Sequence, residues 1–90
     1  MSVHHDPKTR QFQLPTEQGE ARLSYRVVDA ETLDFSSTYV EPGQRGRGLA
    51  AEVVRAGLDY ARAEGKRVIP SCSYVRAYLR RHPEYGDLER

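Results

Sequence analysis

Residues 40–69 constrain the fold of this chain more than any other stretch. They open with glycines at positions 43, 46 and 48, which can adopt positive φ and lie close to a ligand because they carry no Cβ. The following run has small or apolar residues at the spacing of one helical face: Ala50, Val53, Val54, Gly57, Leu58 and Ala61. Gly65 stands where a helix needs a left-handed residue to end it. The stretch therefore predicts a glycine-rich loop, a long helix and, at residues 67–70, a short strand.

A glycine loop that leads into a helix is a typical anion-binding arrangement. The first-turn N–H groups have no partner inside the helix, and the helix dipole places partial positive charge there. Arg45 and Arg47 add full charges beside it. The loop predicts a ligand with a phosphate or pyrophosphate group; the alternative is a glycine-rich turn with solvated arginines. A Walker loop is excluded because Gly-Lys-Ser/Thr is absent, and a dinucleotide site lacks the acidic residue after the next strand.

The same segment resembles the acetyl-CoA loop of the GNAT superfamily of N-acetyltransferases. Residues 45–50, Arg-Gly-Arg-Gly-Leu-Ala, match its pattern Arg/Gln-x-x-Gly-x-Gly/Ala. Residues 70–75, Pro-Ser-Cys-Ser-Tyr-Val, resemble the Pro-x-Cys-Ser-Tyr-Val segment of a short, single-domain GNAT-like family. The resemblance covers nearly the whole chain and implies acetyl-CoA as co-substrate. The coenzyme-binding residues it implies are Val40, Arg45, Gly46, Arg47, Gly48, Leu49, Ala50 and Cys72.

Alternating apolar and polar residues predict antiparallel strands before the loop. We expect an edge strand at residues 9–14 and further strands at 21–28 and 32–40. In the last of these, the alternation puts Leu33, Phe35, Ser37 and Tyr39 on one face. Residues 67–70 are expected beside residues 38–40. The resemblance implies that these two strands splay apart and hold the pantetheine arm between them.

A second helix is expected to run to Arg81, capped by Ser71 or Ser73. The predicted fold class is α/β (α+β), GNAT-like: a small, mainly antiparallel sheet with splayed strands and two helices. We expect three antiparallel strands and a splayed fourth in one domain spanning residues 1–90. Residues 1–8 are expected to form a loose N-terminus because they are polar and include Pro7.

Three side chains are candidates for chemistry. Cys72 sits at a predicted helix N-terminus, which lowers the pKa of a thiol, so it could act as a nucleophile; the alternative is a buried, inert cysteine. The resemblance makes Tyr74 and Tyr78 candidate acids for the departing thiolate, although tyrosines at this spacing can equally be core residues. It also leads us to expect a histidine near Ser37, where Ser37-Thr38 stands instead. Asp34 is interpreted as a solvated face residue rather than a base.

Composition narrows the classes of partner. The 90 residues carry a net charge of +1 with acids and bases mixed throughout, so we expect neither a nucleic-acid nor a membrane partner. One cysteine fits a reducing compartment, and a cytoplasmic location is expected. His4 and His5 are interpreted as incidental, and no metal site is predicted.

The resemblance to the GNAT superfamily implies an acetyl-CoA-dependent N-acetyltransferase that acts on an unidentified amine. The alternative is a non-catalytic CoA-binding accessory or sensor module. A nucleic-acid module that uses Arg76, Arg80 and Arg81 is disfavoured because aromatic residues are not interleaved on a strand surface. The sequence leaves the oligomeric state open.

Overall fold

The computed structural model describes residues 2–90. The strands with alternating apolar and polar residues form one five-stranded sheet. The strands are β1 (His4–Asp6), β2 (Gln11–Thr16), β3 (Gly19–Asp29), β4 (Thr32–Val40) and β5 (Arg67–Ile69). The helices are α1 (Leu49–Ala63) and α2 (Ser73–Arg81), and short 3₁₀ segments span Pro42–Gln44 and Pro83–Leu88. Neighbours β1 to β4 pair antiparallel, and β5 pairs parallel to β4. The predicted fold class is confirmed, with one strand more than expected.

Helix α1 packs across the sheet with the face that the sequence predicts. Val53, Val54, Leu58 and Ala61 are fully buried against Leu23 and Phe35 and their neighbours on the strands. The predicted left-handed residue is confirmed, since Gly65 has a φ of 67°. The Lys66 N–H donates to the Ala61 carbonyl, and the Gly65 N–H donates to the Arg62 carbonyl. These two bonds form a Schellman motif, which ends the helix and turns the chain towards β5.

The N-terminus is not loose throughout, because residues 4–6 form the edge strand β1. His5 provides the physical reason: its ring stacks on Phe12 at 4.3 Å between centroids and meets Tyr60 edge-on at 4.5 Å. The His5 Nε2 atom and the Tyr25 hydroxyl lie 2.6 Å apart in a hydrogen bond. The strand expected at residues 9–14 as an edge strand is therefore β2, second in the sheet and shifted to Gln11–Thr16.

A bulge in β4 shifts the alternation of its side chains by one residue, which the simple alternating pattern did not predict. Tyr25 on β3 pairs with Phe35, but its neighbour Ser24 pairs with Ser37, so Ser36 is an extra residue. Phe35 faces the core, and beyond the bulge Thr38 replaces Ser37 on that face, because Thr38 pairs with buried Leu23. The prediction that Ser37 and Tyr39 share a face with Phe35 is wrong. The bulge instead presents Thr38 and Val40 to the helices.

Strand β5 also lies elsewhere along β4 than expected. It pairs with residues 32–34 and not with residues 38–40, and Asp34 opposite Ile69 is the last pair. Pro70 follows and has no N–H to continue the ladder. The Phe35 carbonyl accepts a hydrogen bond from the Cys72 N–H at 3.0 Å. The two strands therefore part at Ile69, and residues 36–40 of β4 have no strand beside them on this edge within residues 2–90.

The C-terminal segment Pro83–Leu88 packs back onto α1. Leu88 is buried in the core, and the Tyr85 hydroxyl donates to Asp59 at 2.6 Å. This bond to a carboxylate, together with burial, raises the pKa of Tyr85 to about 12. Arg62 forms an ion pair with Asp87 at 3.0 Å. No helix among residues 2–90 is long and apolar enough to cross a membrane.

Gly57 sets how closely α1 approaches the sheet, which gives a stability prediction. A Cβ at this position would lie 2.7 Å from the Leu23 Cδ2 atom and 3.1 Å from the Phe35 ring. We expect Gly57→Val to lower the free energy of unfolding by about 1–3 kcal/mol through overpacking, measured by urea unfolding. Ala63→Val on the same helix is the control, because Ala63 is exposed. Equal stability of the two variants would contradict this packing.

Candidate functional site

The glycine loop presents a row of free backbone N–H groups at the start of α1. Gly46 and Gly48 have φ values of 84° and 77°, in the left-handed region, whereas Gly43 has no positive φ. Gly48 is the N-cap of α1, and its carbonyl accepts the first helical bond from the Glu52 N–H. Within residues 2–90, no backbone hydrogen bond uses the N–H groups of residues 46–48. Those of residues 49–51 open the helix and have no partner in it. This row is suited to bind an anion.

A buried amide holds the loop in place. Gln44 is only 3% exposed, and its Nε2 atom donates to the Gln18 side-chain oxygen at 3.1 Å. The Arg47 guanidinium donates to the Gln44 Oε1 atom at 3.0 Å. The Arg45 Nε atom donates to the Val40 carbonyl at 3.3 Å. The loop is thus fixed to the β2–β3 turn before any ligand arrives. Sequence reasoning missed the role of Gln44, because an isolated glutamine in a polar loop has no distinguishing pattern.

A cleft of about 430 Å³ opens beside this row of N–H groups; we call it the thiol cleft. Most of the coenzyme-binding residues expected from the sequence line it, together with the end of β4 and one residue of α2. The lining residues are Thr38, Tyr39, Val40, Gln44, Arg45, Gly46, Gly48, Leu49, Ala50 and Tyr74. Arg47 and Cys72, which the sequence also predicted as coenzyme-binding residues, are not among them. At the β4 side, the Thr38 hydroxyl oxygen lies 3.6 Å from the Cys72 sulfur, so the cleft leads towards the thiol.

Cys72 is the N-cap residue of α2, as its predicted position requires, and it is half-buried. Burial raises the pKa of the Cys72 thiol. Interactions with the Val75 N–H, the Thr38 hydroxyl and the Tyr74 N–H lower it more, so the pKa lies below its ordinary value. The Cys72 sulfur nevertheless forms no side-chain hydrogen bond that caps α2. The thiol is therefore in an environment that favours its thiolate form.

The expected serine cap of α2 is wrong, because the N-cap residue lies between the two serines. Ser71 lies in the connection between β5 and α2, and its N–H donates to the Ile69 carbonyl at 3.1 Å. Its side chain and N–H also lie close enough to Asp34 to lower the pKa of that carboxyl group. The serine thus helps fix the place where the strands part rather than capping the helix.

The two candidate tyrosines have different surroundings. Tyr74 lines the thiol cleft, is 37% exposed, and has a raised pKa because of partial burial. Tyr78 is 8% exposed and stacks on the His82 ring with centroids 4.0 Å apart. Its pKa is also raised by burial. Tyr78 does not line the thiol cleft. The structure therefore brings Tyr74, but not Tyr78, to the same cleft as the glycine loop.

Asp34 is a feature that sequence reasoning placed wrongly, since it is buried and not solvated. The residue is 4% exposed, and its Oδ2 atom lies 2.7 Å from the Arg26 guanidinium. Burial raises the pKa of Asp34, but the nearby Ser71 and the ion pair with Arg26 outweigh burial, and the pKa is lowered. The Asp34 Oδ1 atom is buried and has no hydrogen-bond partner within residues 2–90. A carboxylate held ionised in this way is a poor proton acceptor at neutral pH. In the sequence, the only indication of this burial was the position of Asp34 between the apolar residues Leu33 and Phe35.

Comparisons with known proteins identify the family of this chain. Residues 11–88 match the family model of GCN5-related N-acetyl-transferases. The chain is 33% identical to protein NATD1 of Xenopus tropicalis over 90 residues, which cover 98% of this chain and 83% of that protein. It is 32% identical to protein NATD1 of Homo sapiens, covering 98% of this chain and 80% of that protein.

The same fold occurs in a solved structure. A GCN5-like protein from Staphylococcus aureus, determined by NMR in solution, superposes with a TM-score of 0.72. The alignment covers 99% of this chain and 87% of that one at 24% identity. The family model that matches residues 11–88 is one of acetyltransferases. This chain belongs to the GCN5-related N-acetyltransferase family.

The contact between Thr38 and Cys72 gives a prediction about thiol reactivity. Thr38→Val removes the hydroxyl that stabilises the thiolate, so the pKa of Cys72 should rise. The pH midpoint of Cys72 alkylation by iodoacetamide should then shift upwards. Thr38→Ser keeps a hydroxyl and should leave the midpoint near that of the wild type. An unchanged midpoint in Thr38→Val would mean that this hydroxyl does not act on the thiol.

Proposed function

We propose that this chain binds acetyl-CoA at the glycine loop and transfers the acetyl group to an amine. The observation that carries the proposal is the row of free N–H groups at residues 46–51, which opens onto a cleft ending beside Thr38 and Cys72. Pyrophosphate suits the row, because a helix N-terminus and backbone donors both favour anions. The charges of Arg45 and Arg47 add to this preference.

The open edge of β4 suits the pantetheine arm. Beyond Asp34, no strand pairs with this edge within residues 2–90, so backbone groups of residues 36–40 are available to amides of the arm. An arm that starts at Gly48 and runs along this edge brings its thioester towards Thr38 and Cys72. Val40 and Leu49 supply apolar surface along the way.

Direct transfer is the simpler chemistry for this site. The neutral amine nitrogen attacks the thioester carbonyl carbon and then loses a proton to solvent. The carbon–sulfur bond breaks, and coenzyme A leaves as a thiolate that takes up a proton. Tyr74 is the better placed of the two tyrosines to supply that proton, since it lines the cleft and its raised pKa keeps it protonated at neutral pH. Cys72 is the candidate for a covalent route, in which its thiolate first takes the acetyl group.

A CoA-binding accessory or sensor module without catalysis is the second candidate function. It is favoured by one observation: Ser37 stands where the family resemblance suggests a histidine, and the described histidines lie elsewhere. His5 packs between Phe12 and Tyr60, and His82 stacks on Tyr78. Release of free coenzyme A from acetyl-CoA in the presence of a panel of primary amines, above the rate without protein, separates the two functions.

The coenzyme site can be tested at Gly48. A Cβ there would project into open space beside the N–H row, on backbone with a φ of 77°. We expect Gly48→Val to weaken coenzyme A binding by about tenfold or more, measured by calorimetry, because the side chain stands where the pyrophosphate approaches the amides.

Gly65→Val is the matched control for backbone strain. Gly65 has a φ of 67° and equally open surroundings, but it lies at the other end of α1. Both variants should lose similar stability, and only Gly48→Val should lose coenzyme A binding. Undiminished affinity in a folded Gly48→Val protein would refute the site.

Substitution of Cys72 separates direct from covalent transfer. We expect Cys72→Ala to keep activity within about tenfold of the wild type, since loss of a true nucleophile costs several orders of magnitude. Incubation with acetyl-CoA should leave no acetyl thioester on Cys72 in intact-protein mass spectra. A hydroxylamine-sensitive acetyl adduct together with an inactive alanine variant would establish the covalent route instead.

A further inference from the structure

The even balance of charge over the whole chain does not extend to residues 65–83. This stretch holds five of the 14 Lys and Arg residues and none of the 13 Asp and Glu residues. Three of these bases belong to α2: Arg76, Arg80 and Arg81. All three are exposed, and none of them forms an ion pair within residues 2–90. Helix α2 therefore presents three positive charges to solvent without an acidic neighbour to balance them.

Helix stability explains two of these arginines but not the third. Arg80 and Arg81 lie in the last turn of α2, where a cation interacts favourably with the helix dipole. Arg76 lies near the start of the helix, where the same dipole disfavours a cation. Arg76 and Arg80 are also four residues apart, a spacing at which like charges on one helix repel each other. An anionic partner bound to both arginines would remove this repulsion.

Arg76 and Arg80 continue along α2 from Cys72. The Arg76 N–H donates to the Cys72 carbonyl at 3.1 Å, so Arg76 stands one helical turn beyond the thiol residue and Arg80 one turn further. Tyr74 lies on the opposite side of the helix, because two residues correspond to a rotation of about 200°. Tyr74 lines the thiol cleft, and Arg81, seven residues further on, shares its side. The two sides of α2 therefore face different spaces.

The two reactants of an acetyl transfer need different approaches to the thioester. The proposed function places coenzyme A in the thiol cleft, which is on the Tyr74 side of α2. The amine must reach the carbonyl carbon from a direction that the coenzyme leaves open. Neither Arg76 nor Arg80 lines the thiol cleft. An acceptor that approaches along their side of α2 passes both arginines before it reaches Cys72.

We propose that the acceptor is an acidic polypeptide, whose carboxylates bind Arg76 and Arg80 while its amine reaches the thioester beside Cys72. The inference rests on the proposed function, since it assumes that the thioester lies at this place. The peptide nitrogen forms the new bond to the acetyl carbon and loses its proton to solvent, and coenzyme A leaves as a thiolate that takes up a proton. Arginine suits this recognition because its planar guanidinium binds a carboxylate through paired hydrogen bonds.

Helix geometry sets the spacing of the acidic residues. At a rise of about 1.5 Å per residue, Arg76 lies about 6 Å and Arg80 about 12 Å beyond Cys72 along the axis of α2. An extended peptide rises about 3.3 Å per residue and turns every second side chain to the same face. Acidic residues at the third and fifth positions, about 7 and 13 Å from a free N-terminal amine, therefore match the two arginines.

Three lysine-free peptides with a free N-terminal amine and a C-terminal fluorescent label test this inference. The first has glutamate at its third and fifth positions, the second has glutamate at its second and fourth positions, and the third has glutamine throughout. With coenzyme A present, the first peptide should bind about fivefold more tightly than the third, measured by fluorescence anisotropy, and the second should lie between them. With acetyl-CoA, kcat/KM for acetylation should follow the same order.

Variants of single basic residues connect this preference to α2. Arg76→Gln and Arg80→Gln should each reduce the preference for the first peptide over the third to about twofold or less. Lys8→Gln is the matched control for net charge, because Lys8 is exposed in the turn between β1 and β2. This variant should keep the full preference. A fourth peptide, acidic with a blocked N-terminus and one lysine, shows whether an N-terminal or a lysine amine is acetylated; acetylation of either in preference to a neutral counterpart supports the inference.

The outcomes separate this inference from the proposed function. If neither the peptides nor a panel of primary amines is acetylated, the proposed function falls and the inference falls with it. If amines are acetylated at rates that do not depend on acidic residues, or if Lys8→Gln and Arg76→Gln reduce the preference equally, only the inference is overturned. Tighter binding of a single-stranded oligonucleotide, weakened by the same arginine variants, would also overturn it. Circular dichroism confirms that each variant is folded.

Discussion

The site depends on the point where β4 and β5 stop pairing. Three residue pairs hold the strands together, and Asp34 opposite Ile69 is the last. Three local features end the ladder there: Pro70 has no N–H, the bulge at Ser36 turns β4, and the Phe35 carbonyl is already bound to the Cys72 N–H. The gap that results exposes one edge of β4 and places the start of α2 beside it. Without this parting, β5 would occupy the place proposed for the pantetheine arm.

Buried polar groups keep this geometry fixed on both sides of the loop. Asp34 is buried in the sheet and forms an ion pair with the exposed Arg26, and Arg26 and the nearby Ser71 lower its pKa. Gln44 has the corresponding role at the loop, joining the β2–β3 turn to Arg47. Both side chains are almost fully buried. Removing a partner of Gln44 would leave an uncompensated polar group, and the buried Asp34 Oδ1 atom already has no hydrogen-bond partner within residues 2–90. The surfaces proposed to bind the ligand are therefore held by polar contacts as well as by the hydrophobic core.

The features that the sequence predicted are those that a local pattern determines. The buried face of α1, the positive φ of Gly46 and Gly48 and the end of the helix at Gly65 each follow from residue type and spacing. The bulge in β4 left no such sign, because Ser36, Ser37 and Thr38 are all small and polar. Strand β1 and the burial of Asp34 depend on contacts with Phe12, Tyr60 and Ser71, which are distant in sequence. Tertiary contacts of this kind leave no periodic signal.

The electrostatics around Cys72 are compatible with either route of acetyl transfer. The Thr38 hydroxyl and the first N–H groups of α2 stabilise negative charge on sulfur at this place. On the covalent route, that charge belongs to the Cys72 thiolate before it attacks. On the direct route, it develops on the sulfur of coenzyme A as the carbon–sulfur bond breaks, and the same donors would stabilise the leaving group. The presence or absence of an acetyl group on Cys72 therefore distinguishes the two routes, because only the covalent route places the acetyl group on this sulfur.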